Sequence, residues 1–270
     1  MPSARIGVFD SGLGGLTVVR ELLSQASGAD ILYVADQAHV PYGPRPLEQI
    51  RVFAEAISRY LREQGCGTVV MACNISSATA LETVRVALPD IQCHGVIEPA
   101  VRSAMLGPPG AVGVMATAGT VSSRAYSRVL ARSMPGTQVI EVACPEFVPI
   151  VEAGLTGTAE ALDACRRYLA PLRGQAAQLI LGCTHYPLLL PDLQAAASAM
   201  GWTMHVVDPA AEAAREAISS VGPAGTTAGR LVLSTTGDGA RFGAQARAVL
   251  GYAVAPAVTE LRWQDGRLTG

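Results

Sequence analysis

Thr68-Val69-Val70-Met71-Ala72-Cys73-Asn74 states a plan that returns 110 positions later as Gln178-Leu179-Ile180-Leu181-Gly182-Cys183-Thr184-His185. Each copy is a short apolar run of the kind that forms a strand buried on both faces of a parallel sheet. Each ends in a small residue, a cysteine and a polar residue. The first copy runs on into Ser76–Leu81 and the second into Tyr186–Leu189, both able to open a helix. A cysteine so placed sits at the carboxyl end of a strand, beside a helix N-terminus. Open α/β sheets bind their ligands there, and a thiolate is stabilised there.

Two further pairs keep nearly the same offset. Ile6–Ser11 matches Val112–Thr117, 106 residues on, and Val96–Ala100 matches Val206–Ala210, again 110 on. Three matches in one order predict two similar α/β units facing each other. The fold class expected is therefore α/β: two pseudo-symmetric domains with mainly parallel sheets across a central cleft. The chain crosses between them at Glu98-Pro99 and back at Asp208-Pro209. The first domain is discontinuous, residues 1–98 plus 209–270, and the second spans 99–208.

Half of the 270 residues are hydrophobic and 16% are charged. That describes a folded protein with a large aliphatic core, not a disordered chain. A net charge of −2 and the lack of a basic stripe point away from nucleic acid. No apolar run approaches the roughly 18 residues of a membrane helix. The start Met1-Pro2-Ser3-Ala4-Arg5 leads straight into a strand at 4–9 with no signal peptide, so a cytoplasmic protein is expected. Six cysteines in a reducing compartment are expected to stay free. No Cys-x-x-Cys spacing occurs, which argues against zinc ribbons and thioredoxin-type chemistry.

Between the motifs the expected elements alternate. Helices are read at 16–25, 47–64, 81–87, 100–106, 122–133, 159–172, 192–200, 210–220 and 240–250. Strands are read at 30–35, 91–97, 111–115, 139–143, 205–207 and 231–234, with a last segment at 258–262. Thr117–Thr120 is read as a turn, Pro145–Ala153 as a loop or short helix holding Glu146 and Glu152, and Val221–Gly225 as a loop. Asp10-Ser11-Gly12-Leu13-Gly14-Gly15 resembles a phosphate loop but lacks its Lys-Ser/Thr and the full dinucleotide fingerprint. Its glycines are expected to let the backbone turn tightly and approach a small ligand. Asp36–Pro44, stiffened by prolines, is either a binding loop or a plain connection.

Cysteine is often only a small buried hydrophobe, and Cys66, Cys93, Cys144 and Cys165 are read that way. Cys73 and Cys183 are set apart by the repeat, which aligns them on one cleft. A thiolate is a good base near neutral pH. Two thiols on opposite faces of one carbon can remove a proton from one side and return it from the other, inverting a stereocentre without a cofactor.

Val8–Gly15, Pro41-Tyr42-Gly43, Ala72-Cys73-Asn74, Ala116-Thr117-x-x-Thr120 and Leu181–Pro187 together resemble the motifs of the bacterial glutamate racemases, over almost the whole chain. The resemblance implies a cofactor-independent proton transfer between L- and D-glutamate, supplying D-glutamate for peptidoglycan, by a cytoplasmic homodimer without metal. It implies that Cys73 and Cys183 are the acid/base thiols, with Asp10 assisting Cys73, and His185 and Glu152 assisting Cys183. Ser11, Asn74, Thr117, Thr120 and Thr184, with the segment Pro41, Tyr42 and Gly43, would hold the substrate. Local readings stand beside these roles. Asp10 and Asn74 can cap helices, His185 can be a satisfied core group, and Glu152 a solvated charge. One residue departs from the pattern: Ile75 replaces the usual hydroxyl after the Asn, leaving only its backbone N–H to bind an oxyanion. The alternatives are racemisation of aspartate or a hydantoin, a two-lobed small-molecule binding protein, and a metal site of Cys73, Cys183 and His185.

Overall fold

The structure is a computed structural model that describes residues 5–26, 28–221, 229–253 and 257–270. The expected loop at 221–225 lies, after Val221, outside the described residues. The chain opens with β1 (Arg5–Asp10), α1 (Leu16–Gln25), β2 (Asp30–Ala35), α2 (Leu47–Glu63), β3 (Thr68–Met71), α3 (Asn74–Ala87) and β4 (Gln92–His94). Next come α4 (Ile97–Ala104), β5 (Ala111–Ala116), α5 (Ala118–Ser123), α6 (Ala125–Ser133), β6 (Val139–Ala143) and α7 (Phe147–Glu152). They are followed by α8 (Ala159–Leu169), β7 (Ala176–Gly182), a 3-10 turn (Tyr186–Leu189), α9 (Leu190–Ala199) and β8 (His205–Val207). The chain returns through α10 (Ala210–Val221), β9 (Leu231–Thr235), α11 (Gly239–Leu250) and β10 (Val258–Glu260). It ends in a hairpin of β11 (Arg262–Gln264) and β12 (Arg267–Thr269).

Two parallel sheets result. One runs β10-β9-β2-β1-β3-β4 and the other β6-β5-β7-β8. Within them, β2-β1-β3-β4 and β6-β5-β7-β8 have the same order. The sequence repeat is therefore a repeat of topology, and the fold is the expected pair of α/β domains. The central strands read as unbroken apolar runs because both faces are covered. Ile6 and Val8 pack under α1, α10 and α11, while Phe9, next after Val8, faces the core under α2 and α3. In β7, Leu179 and Leu181 face one core and Ile180 the other.

In each sheet the chain steps from the first strand to one neighbour and then to the opposite one. That creates a switch point between β1 and β3, and another between β5 and β7. Loops diverge at such a point and leave a crevice beyond the strand ends. Asp10 and Cys73 lie at the first crevice, Thr117 and Cys183 at the second.

Several boundaries differ from expectation. Helix α3 begins at Asn74, not 81. Its first turns are rich in Ser and Thr, poor helix formers unless their hydroxyls are engaged; here Ser77 donates to the Met71 carbonyl and Thr79 to that of Ile75. Glu98-Pro99 lies inside the first turn of α4, where proline is tolerated because its missing N–H would lack a helical partner. The third sequence match thus marks two helix starts, and only Val206-Val207 is strand. The turn expected at Thr117–Thr120 is instead the start of α5, and the helix read at 122–133 is broken at Arg124, whose φ of 54° ends α5. Helix α8 stops at Leu169, two residues before Pro171; Ala170 keeps helical angles, but the proline has no N–H to carry the helical ladder further.

Candidate active site

One cavity of about 260 Å³ opens between the two sheets. Among its lining residues are Asp10, Ser11, Pro41, Tyr42, Gly43, Cys73, Asn74, Ile75, Thr117, Cys183, Thr184 and His185. Pockets for drug-sized ligands run to roughly 300–1,000 Å³; this one suits a smaller metabolite. Two of the expected residues stand behind the lining. Thr120 has its hydroxyl 3.0 Å from that of Thr117 and its N–H against the same oxygen, so it closes the N-terminal turn of α5. Glu152 is reached through His185. Glu146 points elsewhere, pairing with Arg167 and Tyr168.

The glycine-rich turn after β1 folds around Asp10, which is 1% exposed. Its Oδ2 accepts the N–H groups of Gly12 and Gly15 at 3.2 and 3.1 Å, and its Oδ1 accepts the Thr184 hydroxyl at 3.2 Å. Gly12 and Gly14 approach the opposite domain rather than a ligand. A methyl on Gly12 would strike the Glu152 carboxylate, and one on Gly14 would strike the His185 ring and Thr184. Only hydrogen there lets the two domains close over the cavity.

Cys73 caps α3, a helix of 14 residues, with an extended φ/ψ of −68°/121°. Burial pushes its thiol far above the ordinary range, and the nearby Asp10 charge pushes it further; the N–H and hydroxyl of Ser76 pull it back in part. Cys73 is thus held as a thiol at neutral pH. Beside it, Asn74 accepts the Tyr126 hydroxyl at 2.7 Å across the domain boundary, while its Nδ2 has no partner among the described residues.

Cys183 is not the mirror image. The chain after it forms a 3-10 turn, not the α-helix the repeat suggests, so no long helix dipole points at its sulfur. Its partner is His185, whose Nδ1 lies 3.8 Å from Sγ. His185 Nε2 is 2.7 Å from Glu152 Oε1, which also accepts the Leu13 N–H at 2.9 Å. Burial alone would depress the imidazole, but the hydrogen bonds to Cys183 and Glu152, and the Asp10 charge, outweigh it and raise His185 well above its ordinary value. Burial would raise Glu152, yet the His185 hydrogen bond and charge, the Leu13 N–H and Gln37 hold it below the usual carboxylate range. The result is a buried Glu152–His185 ion pair against Cys183.

No arginine lines the cavity, and the chain contains no lysine. An anionic substrate must therefore be held by N–H donors, hydroxyls, His185 and the N-terminus of α3. Pro44, Ala118, Pro145, Val148 and Pro149 complete the wall. Sequence reasoning missed these five. Val148 and Pro149 were within reach of it, because an apolar residue beside a proline in a short segment between strand and helix marks a wall as readily as a core. Among the described residues, no group of three or more His, Cys, Asp and Glu is gathered as a metal-ligand set. No helix of the described residues is long and apolar enough to cross a membrane.

Two parallel-sheet domains each deliver a cysteine from a switch point to one cavity, the arrangement expected of an amino-acid racemase. The sequence comparison agrees. Residues 6–217 match the Asp/Glu/Hydantoin racemase family, and the chain belongs to it. The chain is 44% identical to a glutamate racemase of Corynebacterium kroppenstedtii over 72% of its own length and 68% of the relative's. Among solved structures, a glutamate racemase isoform of Bacillus anthracis superposes with a TM-score of 0.87 at 31% identity, covering 98% of each chain. A Thermus thermophilus glutamate racemase in complex with β-chloro-D-alanine gives 0.83 at 38% identity, covering 97% of this chain and 98% of that one.

Proposed function

We propose that this chain interconverts L- and D-glutamate by proton transfer between Cys73 and Cys183, without metal or pyridoxal phosphate. The observation that carries the reading is the meeting of both thiols in one cavity from equivalent strand ends. With L-glutamate, Cys183 abstracts the α-proton, with the Glu152–His185 pair behind it. Cys73, kept as a thiol by burial, donates a proton to the opposite face of the planar carbanion. With D-glutamate the roles exchange, and Asp10 is the group beside Cys73 that handles its proton. Ser11, Asn74, Thr117, Thr184 and the backbone of Tyr42-Gly43 hold the amino group and carboxylates. A lysine would be required for a pyridoxal Schiff base, and the chain has none.

The relatives' names support glutamate over aspartate or a hydantoin. Sheet membership supports domain boundaries at 98/99 and 208/209, since β5–β8 form one sheet and the remaining parallel strands the other. Family resemblance extends the proposal to a cytoplasmic homodimer that supplies D-glutamate for peptidoglycan; sedimentation of the purified chain tests the dimer. The activity test is circular dichroism of D-glutamate followed over time with purified protein and no added cofactor, with and without chelator, and with D-aspartate and a chiral hydantoin in parallel. Loss of the glutamate signal at equal rates with and without chelator is the expected result. A flat trace, or activity that chelation abolishes and zinc restores, would overturn the proposal.

A further inference from the structure

We infer that Trp263, in the carboxyl-terminal hairpin, is a positioning residue for the cavity loop Pro41–Pro44. The inference rests on reading that cavity as the substrate site. Asp36 directly follows β2, and its side chain is fully buried. Its Oδ2 accepts His39 Nδ1 at 2.8 Å and the Tyr42 hydroxyl at 2.6 Å. Its Oδ1 accepts the Thr236 hydroxyl at 2.8 Å and Trp263 Nε1 at 2.7 Å. A carboxylate offers about four acceptor positions, and all of them are used. The donors come from three segments far apart in sequence: the loop itself, the end of β9, and β11.

The rings repeat the connection. His39 stacks on Phe53 at 3.9 Å between centroids, and Trp263 packs against both at 5.2 and 5.4 Å. The loop is thus held from behind by the Asp36 cluster. From the front it meets Thr117, where a Cβ on Gly43 would lie 3.0 Å from the Thr117 Cβ. Its one titratable side chain, Tyr42, spends its hydroxyl on Asp36. The loop therefore contributes binding contacts and no acid or base. Removing the indole N–H leaves a buried charge one donor short and frees the loop to leave its binding position. Trp263 and Thr236 lie beyond residues 6–217, the stretch that matches the racemase family.

The test uses the full chain carrying Trp263→Phe, which keeps a ring and deletes the N–H, and separately Thr236→Val, which deletes the other Oδ1 donor without touching the hairpin. Thr236→Ser is the conservative control. The KM for both glutamate enantiomers should rise about three- to tenfold in the first two, with kcat changed less than about twofold, because uniform binding is lost and no chemical group is. Thr236→Ser should behave as wild type. Active-site titration corrects for any unfolded fraction, which would lower apparent kcat and leave KM alone. Hydrogen exchange of a peptide spanning the loop should quicken in both donor-deleting variants, whatever the enzyme turns over. Unchanged loop exchange, or a loss that falls on kcat alone, overturns the inference. A wild-type chain inactive on glutamate counts against the proposed function only, and loop exchange then decides this one.

Discussion

At the scale of single residues the two thiols are chemically unequal, although the repeat makes them equivalent in position. Cys73 stands on a helix N-terminus with Asp10 nearby, and Cys183 stands against the His185–Glu152 pair. Each turnover needs one base and one acid, so Cys73→Ser and Cys183→Ser should each lower racemisation by several orders of magnitude, serine being far too weak an acid at neutral pH. One thiol still suffices for a one-sided elimination from a glutamate analogue with a leaving group on the β carbon. Cys73→Ser should retain elimination from the L-analogue, and Cys183→Ser from the D-analogue. Both variants processing the same enantiomer would refute the assignment. His185→Asn should lower kcat by about 10²–10⁴. It should also raise the primary isotope effect with α-deuterated L-glutamate and not with the D-isomer, because only the Cys183 step is slowed. Equal isotope effects for the two enantiomers would show that His185 does not serve that thiol alone.

At the scale of elements, α7 is the piece that reaches across. Its last residue, Glu152, holds His185 and the Leu13 N–H with its carboxylate, while its carbonyl accepts Gln245 at 3.1 Å from α11. Glu152→Gln keeps the shape and removes the charge. The raised His185 contributes stability that is complete below its unfolded pKa of about 6.5 and is lost as pH rises through its folded value. The lowered Glu152 contributes stability present above about 4.3 and lost as pH falls through its folded value. The two windows overlap near pH 6. Melting of the variant against wild type should show its largest gap there, about 2 kcal/mol or ~4–8 °C, narrowing toward both acid and strongly alkaline pH. A gap independent of pH would mean that the pair is not charged in the fold. The family resemblance names Glu152 and His185 from the sequence; that they meet as a charged pair is visible only in the fold. The strands, the switch-point cysteines and Asp10 could be read from local runs and their repetition. The bonds of Glu152 to Leu13 and of Asp36 to Trp263 could not, because the partners lie 139 and 227 positions apart. The start of α3 was hidden for a different reason: the hydroxyls that make Ser and Thr poor helix formers are satisfied by carbonyls visible only in the fold.

At the scale of the molecule, the thiols that the chemistry does not use still bear on stability. Cys66 and Cys93 lie in the core beneath α2 and α3, and Cys165 in the core of the second sheet. Burial pushes the first up to about 12, the second to about 11 and the third to about 12. Unfolded, each ionises near 8.5, so above that pH the native state binds more protons than the unfolded one and stability must fall as pH rises. Each such thiol contributes a slope of about 1.4 kcal/mol per pH unit until its folded value is reached. Both domains carry the effect, and Tyr126–Asn74, Thr184–Asp10 and Glu152–Leu13 tie them together. The chain should therefore lose urea resistance steeply between pH 8.5 and 10.5 as one cooperative unit. Trp202 packs on the core of the second sheet and Trp263 on that of the first, so fluorescence of Trp202→Phe and Trp263→Phe reads each domain separately. Within each variant the fluorescence midpoint should coincide with the far-ultraviolet circular-dichroism midpoint at pH 7.5, and both should fall together at pH 10. Cys66→Val, close in volume and without a proton to lose, should flatten the pH slope by about one proton's worth, ~1.4 kcal/mol per unit. Midpoints that hold constant to pH 10 would show that the buried thiols ionise without cost, and midpoints that separate at pH 7.5 would show that the hydrogen bonds across the cleft do not join the two domains into one folding unit.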